Sequence, residues 1–120
     1  MLQKIDIQGV HLKIDEKTHR YVLKKLGHID KYLPSAVKES AHAEIQLKES
    51  KSKSTNKYTC EITLYLPKET INIKESTINM FAAIDIVESK VIQKIHQYKD
   101  LHHSGKFHRR LMARFRSRQS

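Results

Sequence analysis

The sequence contains little of several residue types on which particular protein classes depend. Its single cysteine, Cys60, cannot form an internal disulfide, so nothing indicates an oxidising compartment. Its three glycines, Gly9, Gly27 and Gly105, lie far apart, which excludes a glycine-rich phosphate-binding loop. No apolar run approaches the roughly 20 residues of a membrane-spanning helix, and the first residues lack the apolar stretch of a secretory signal. We therefore expect a cytoplasmic protein.

Positive charge is present in excess and is unevenly distributed. The 120 residues suit one domain, and 38% hydrophobic with 30% charged residues is a globular composition. Lys and Arg number 23 against 13 Asp and Glu, which gives a formal net charge of +10. Residues 99–120 hold seven basic residues and one acid, hence +6, and this leaves +4 for residues 1–98. The surplus indicates a polyanionic partner, either a nucleic acid or an anionic membrane.

Alternation of apolar and polar residues predicts four strands. The alternating segments are residues 2–8, 40–48 and 57–66, with a short fourth strand at Ile71 and Ile73. A polar segment rich in serine and lysine links the second strand to the third. Consecutive strands with short links are expected to pair as antiparallel hairpins, with the first strand added at one edge.

Apolar residues at spacings of three and four predict two helices, over residues 15–33 and 79–100. Asp15 is the expected N-cap of the first helix, and Pro34 ends that helix. The candidate N-caps of the second helix are Ser76, Thr77 and Asn79. Each helix has one apolar stripe that another element must cover. The order β-α-β-β-β-α therefore predicts an α+β fold, a two-layer sandwich of a four-stranded sheet with two helices on one face.

The first predicted helix carries a face of one charge sign. At about 100° per residue, the side chains opposite its apolar stripe include four fixed cations and no acid. These positions are Lys17, Arg20, Lys24, His28 and Lys31. On the second helix Lys90 and Lys94 share a flank, and we predict that they form the opposing wall of an RNA-binding groove. A single charged side chain is often only solvated, but a row of cations on a rigid support suits the phosphates of RNA.

Beyond residue 100 the periodicity fades. We therefore expect one α+β domain over residues 1–100 and a flexible basic tail over residues 101–120. In this tail Arg109 and Arg110 are candidate RNA contacts, and the interleaved Phe107 and Phe115 can stack on bases. An anionic membrane surface is the alternative partner for the tail.

Catalytic and metal-binding patterns are weak. His102, His103 and His108 lie near one another, but their spacing is not that of a zinc site and no second cysteine exists, so we expect no metal. Asp85 is an isolated acid, and its expected role is an interaction with the positive N-terminal end of the second helix. A weak hydrolase dependent on Asp85 is the enzymatic alternative, but no second group converges on it. We predict a protein that is not an enzyme and has no cofactor or small-molecule substrate.

One segment of the sequence resembles a known family. Residues 80–85, Met-Phe-Ala-Ala-Ile-Asp, followed by Lys90, Gln93 and residues 98–100, are similar to the signature of the ribosome hibernation-promoting factor family, which includes the ribosome-associated translation inhibitors. The first predicted strand and helix are similar to those of the same family. The resemblance covers residues 1–100 and implies a fold like that of double-stranded RNA-binding domains.

The resemblance implies a ribosome hibernation factor. Such factors bind the small ribosomal subunit near the decoding centre, exclude mRNA and tRNA by occupying their space, and inhibit translation under stress or in stationary phase. Their basic helix residues contact rRNA, which here implies Lys24, Lys25, Lys31, Lys90, Lys94 and Lys99. With the charge pattern added, the predicted RNA-binding residues are Lys17, Arg20, Lys24, Lys25, Lys31, Lys90, Lys94, Lys99, Arg109 and Arg110. The alternative is a general structured-RNA-binding protein or RNA chaperone.

Two features depart from the family pattern. Long family members carry a separate C-terminal dimerisation domain, for which this chain is too short. Some short members end in an acidic tail, whereas the tail here is basic. The sequence therefore leaves open whether the protein promotes ribosome pairs or inactive single ribosomes, and what the tail does.

Overall fold

The computed structural model describes residues 1–51 and 56–102. The chain runs through β1 Lys4–Val10, α1 Glu16–Leu26, a 3-10 helix Ile29–Tyr32, α2 Ser35–Lys38, β2 His42–Lys51, β3 Asn56–Tyr65, β4 Thr70–Thr77 and α3 Met80–His102. This order confirms the predicted β-α-β-β-β-α succession. Two short helical turns, the 3-10 helix and α2, lie between α1 and β2 and were not predicted.

The sheet has the strand order β1-β2-β3-β4. β1 runs parallel to β2, with Lys4 opposite His42, whereas β2–β3 and β3–β4 are antiparallel. A parallel neighbour requires a crossover connection, and α1 lies in that connection. Near the end of β1, a Cβ at Gly9 would lie 2.1 Å from the carbonyl oxygen of Leu12, so the close approach of the following loop leaves no room for a side chain. The predicted edge position of the first strand is confirmed.

The core lies between one face of the sheet and the two long helices. Alternate residues of β2 and β3 are buried, and the paired residues Ile45 and Ile62 are fully buried. Val22 and Leu26 of α1 pack into the same cluster. The contribution of α3 is a stripe of five buried residues, Ile84, Val87, Val91, Ile95 and Tyr98. Each buried aliphatic side chain contributes about 1.5–3 kcal/mol, so this packing fixes the helices on the sheet and confirms the two-layer sandwich.

The first helix is shorter than its periodicity predicted. α1 ends at Leu26, and the N–H of the buried Gly27 donates to a carbonyl of the last turn at 3.0 Å. The chain then continues as the 3-10 helix, from which Ile29 and the following Leu33 still reach the core. The apolar spacing thus predicted the buried residues correctly, but the backbone changes helix type between them.

Side-chain caps fix where both long helices begin. The carboxylate of Asp15 accepts a hydrogen bond from the backbone N–H of Thr18 at 2.7 Å, as predicted, and this bond lowers the pKa of Asp15. At α3 the cap is Asn79, whose Oδ1 accepts from the N–H of Phe81 at 2.8 Å. Thr77 supports this cap, because its hydroxyl accepts from the N–H of Asn79 at 2.9 Å.

Cys60 is a core residue of β3. Its side chain is fully buried beneath the helices, and burial raises the pKa of its thiol to about 12. The thiolate is the reactive form, so this cysteine has no nucleophilic character at neutral pH. Within the described part of the chain, no helix is long and apolar enough to cross a membrane.

Candidate nucleic-acid interface

The outer surface of α1 presents three cations to solvent. Lys17, Arg20 and Lys24, which we call the α1 outer face, are all exposed. Arg20 pairs with Glu16 one turn earlier, whereas Lys24 has no ion pair among the described residues. The ammonium of Lys17 lies 5.7 Å from the centre of the Phe81 ring, within range of a cation–π interaction. The three cations line a shallow surface hollow together with Tyr21 and two acids at the start of the helix, Asp15 and Glu16.

Tyr21 joins α1 to α3. Its ring meets that of Phe81 edge to face, with centroids 4.8 Å apart and an angle of 89° between the planes. Its hydroxyl donates a hydrogen bond of 2.5 Å to Oδ1 of Asp85. This bond raises the pKa of the Tyr21 phenol to about 12, because ionisation would remove the donor and place a second negative charge beside the carboxylate. Phe81 and Asp85 stand about one helical turn apart and hold one tyrosine at its ring and its hydroxyl; we call these three residues the helix clamp.

Lys25 belongs to this helix junction rather than to the α1 outer face. Its ammonium lies 3.7 Å from Asp85 and 3.8 Å from Glu88, and its side chain is only 30% exposed. It also lies 5.7 Å from the ring of Tyr21. Two carboxylates therefore compensate the charge of a predicted RNA contact. We predicted that Asp85 interacts with the positive N-terminal end of α3. In the structure its carboxylate instead binds two side chains of α1, Tyr21 and Lys25.

Lys31 lies beyond the end of α1. Because the helix gives way to the 3-10 helix, Lys31 does not continue the row formed by Lys17 and Lys24, and neither does His28. The ammonium of Lys31 lies 5.1 Å from the ring of Tyr32, the next residue in the 3-10 helix. The predicted five-residue row is thus divided into the α1 outer face and a separate cation on the following turn.

The two flanks of α3 differ in charge. Asp85 and Glu88 face α1, whereas Lys90 pairs with Glu75 of β4 on the other side of the helix. Lys94 follows Lys90 by about one turn and so shares its flank. The structure therefore does not bring the predicted pair of lysines opposite α1, and the groove that we expected between them is not formed.

The remaining predicted RNA contacts are Lys99, Arg109 and Arg110. Lys99 is half-buried near the end of α3. Arg109 and Arg110, like the aromatic residues Phe107 and Phe115, lie outside the described residues. In residues 1–51 and 56–102, no three histidine, cysteine or acidic side chains are placed to hold a metal ion.

These observations define a class: a small α+β protein that presents a cationic helix surface on one side of a four-stranded sheet. The particular family follows from comparison with known proteins. The profile of the Sigma 54 modulation protein / S30EA ribosomal protein family matches residues 5–102, so the chain belongs to this family.

Two similar proteins carry the name ribosome hibernation promotion factor. The chain is 29% identical over 106 residues to the ribosome hibernation promotion factor of a Picosynechococcus species. The matched residues make up 88% of this chain and 53% of that protein. It is 26% identical over 96 residues to the ribosome hibernation promotion factor of Lactococcus lactis, with 80% of this chain and 49% of the relative covered. The chain therefore spans about half the length of these relatives.

Solved structures agree on the fold. The N-terminal domain of Protein Y from Thermus thermophilus is similar with a TM-score of 0.68 and 24% identity, over 80% of this chain and 99% of that one. A ribosomal subunit interface protein from Coxiella burnetii is similar with a TM-score of 0.65 and 19% identity, over 81% and 98% of the two chains. At these identities the likeness shows a shared fold.

Proposed function

We propose that the protein is a ribosome hibernation factor. It binds the small ribosomal subunit and its rRNA near the decoding centre, occupies the space of mRNA and tRNA, and inhibits translation in the cytoplasm under stress or in stationary phase. The α1 outer face is the observation that carries this proposal, because it places cations on a rigid helix. Membership of the family and the names of the relatives support the same function.

The α1 outer face has the properties that a phosphate backbone requires. Lys24 is exposed and has no ion pair among the described residues, so binding a phosphate breaks no ion pair at this residue. Arg20 can exchange the exposed Glu16 for a phosphate at little cost, since surface ion pairs contribute about 0–1 kcal/mol. Lys17 is held by an aromatic ring rather than by an acid, and keeps its charge available. Each such contact releases a condensed counterion from the RNA.

The helix clamp gives this surface its rigidity. Shape and backbone contacts dominate the recognition of folded RNA, so the spacing of cations matters more than base-reading groups. Inhibition is then steric, and the cycle needs neither a reaction nor a cofactor: the factor leaves when the site is reclaimed. Lys31, Lys90, Lys94, Lys99, Arg109 and Arg110 are further proposed contacts outside the α1 outer face, and Lys25 acts at the helix junction.

Cosedimentation tests the proposal. Purified protein is mixed with ribosomes and with separated subunits, with and without prior addition of mRNA and initiator tRNA, and is resolved on gradients. We expect saturation at one copy per ribosome, retention on the small subunit, and loss of binding when mRNA and tRNA are added first. Weak, unsaturating binding to any RNA would instead identify a general RNA-binding protein, and binding unaffected by tRNA and mRNA would refute the proposed position.

A further inference from the structure

The central strands of the sheet are longer than their neighbours. The last pair between β1 and β2 joins Val10 to Lys48, and the last pair between β3 and β4 joins Tyr58 to Thr77. Beyond these pairs, the ends of β2 and β3 bond only to each other, with Ser50 opposite Lys57. Residues 49–51 and 56–57 therefore form a two-stranded extension of the four-stranded sheet. We call this extension, together with the adjoining residues Lys48 and Tyr58 at which the outer strands end, the β2–β3 ribbon.

The ribbon is cationic. Lys48, Lys51 and Lys57 are exposed, and none of them has an ion pair among the residues that the structure describes. Because Ser50 is opposite Lys57 and Thr59 is opposite Lys48, the side chains of Lys48 and Lys57 are diagonal neighbours on the same face of the sheet. Like charges at such positions repel each other, and an anion between them removes the repulsion.

The acid of the ribbon lies on its other face. Glu49 is adjacent in sequence to Lys48, so its side chain projects to the opposite side of the strand, where Tyr58 is its cross-strand partner. The face that carries Lys48 and Lys57 has Ser50 and Thr59 as immediate cross-strand neighbours, both uncharged. This face of the ribbon therefore carries no acid. The next acid along β3 on the same face is Glu61, opposite Gln46, which lies diagonal to Lys48 but four residues from Lys57.

The ribbon lies at the end of the sheet where both long helices begin. β1 ends at Val10 and leads into α1, and β4 ends at Thr77 and leads into α3. The face bearing Lys48 and Lys57 is the one that the helices do not cover, since the alternate residues Leu47 and Cys60 are buried in the core. The α1 outer face and this ribbon face therefore share one end of the molecule but point to opposite sides of it.

We infer that the β2–β3 ribbon is a second phosphate-binding element, which contacts a different RNA backbone segment from the one held by the α1 outer face. This inference rests on the proposed function and deepens it. Two cationic surfaces on opposite layers engage fully only where folded RNA presents two backbone segments around the domain. A second contact on the same rigid body raises affinity through effective concentration, so the two elements together select a structured site over an isolated helix.

Removal of the two diagonal lysines tests the inference on the full chain. The variant K48Q/K57Q is compared with K4Q/K68Q, which removes the same two charges from exposed positions at the opposite end of the sheet. Binding to small ribosomal subunits is titrated at several salt concentrations. We expect the ribbon variant to bind roughly tenfold more weakly than the wild type. The slope of the logarithm of its binding constant against the logarithm of the salt concentration should be shallower by about 2, and the control should bind like the wild type. Circular dichroism and thermal unfolding confirm that both variants are folded.

Each other outcome is decisive. Equal weakening in both variants would show that net charge alone is responsible, and wild-type affinity and salt slope in the ribbon variant would show that the ribbon touches no phosphate; either result overturns the inference. If K17E/K24E loses binding while K48Q/K57Q does not, the proposed function stands and the second element is rejected. If the wild type does not saturate small subunits, the proposed function and this inference are both rejected.

Discussion

The outer side of α1 and its side against α3 carry cations with different surroundings. Lys24 and Lys25 are consecutive residues, yet Lys24 is exposed without an ion pair among the described residues, whereas Lys25 is placed between two carboxylates of α3. The outer side thus leaves a cation open to solvent, whereas the inner side uses its cation for contact between helices. The number of lysines on a helix therefore does not give the number available to RNA.

The helix junction accounts for part of the sequence signature. Phe81 and Asp85 are the aromatic and acidic residues of the Phe-Ala-Ala-Ile-Asp segment, and both bind Tyr21 of α1. Ala83 and Ile84, between them, are buried against the sheet. The segment thus serves packing and helix docking, and in the proposed function it acts on RNA binding only through the placement of α1.

The largest effect is expected from charge reversal on the outer side. K17E/K24E should bind ribosomes roughly a hundredfold or more weakly, because two phosphate contacts are lost and replaced by repulsion. The free energy of unfolding should stay within about 1 kcal/mol of the wild type, since both side chains are exposed and the contact of Lys17 with the Phe81 ring is the only side-chain contact described that is lost. The matched control is K4E/K68E, measured by the same cosedimentation and denaturant titrations. Unchanged binding by K17E/K24E would remove the α1 outer face from the site.

On the inner side, the expected effect is on stability. Y21F and D85N should each lower the free energy of unfolding by about 1 kcal/mol, because a charge-assisted hydrogen bond at a partly exposed site is lost. The double variant should lose little more than either single one, since both remove the same bond. Fully additive losses in denaturant titrations would show that the two groups act independently.

The pH dependence of the clamp has a definite sign. The pKa of Tyr21 is raised from 10.0 to about 12, so the neutral phenol is favoured in the folded state. Its contribution is fully present below pH 10 and is lost as the pH rises towards 12. In denaturant titrations, the stability difference between wild type and Y21F should therefore be constant from neutral pH up to pH 10 and shrink above it.

A smaller effect distinguishes the two adjacent lysines directly. K24Q should weaken ribosome binding several-fold and reduce the salt slope by about 1. K25Q removes the same charge one residue away, but should leave binding nearly unchanged and reduce stability by less than about 1 kcal/mol. Salt titrations of both variants give the comparison. If K25Q weakens binding as much as K24Q, the acids of α3 do not withhold that cation from RNA.

The smallest effect concerns the cap of α1. Hydrogen bonds from Thr18 lower the pKa of Asp15 below its ordinary value of 3.8, so its contribution to stability is present above that pH and is lost as the pH falls through the folded value. D15A should be less stable than the wild type at neutral pH. Denaturation midpoints of the two proteins should converge in acid, and a difference that persists there would show that the carboxylate charge is not what caps the helix.

Local patterns in the sequence were sufficient for most of the fold. The alternation in β2 and β3 and the spacing of Val87, Val91 and Ile95 predicted both layers, because burial imposes periods of two and 3.6 residues. The break in the first helix was missed because Ile29 and Leu33 keep helical spacing while the backbone between them tightens. The domain limits at residue 100 and the flexibility of the tail remain predictions.

The candidate site was less accessible to sequence reasoning. Tyr21 and Asp85 are 64 positions apart, and no local pattern relates them. No local pattern relates Lys90 to Glu75 of β4 either. This ion pair lies on the flank of α3 away from α1, so the predicted groove wall was wrong. Lys48 and Lys57 were assigned to the predicted second and third strands, on either side of the serine and lysine-rich segment, but that they are diagonal neighbours follows only from the strand register.

The burial of Cys60 allows opening of the folded domain to be measured by labelling of its thiol. The chain has one thiol, which is fully enclosed in the folded domain, and its raised pKa further suppresses the thiolate. An alkylating reagent therefore modifies it only in molecules that have opened, so the labelling rate measures the population of open molecules in the native ensemble. Applied to free and ribosome-bound protein, the same unmodified chain reports how much the bound state suppresses opening, without an introduced probe.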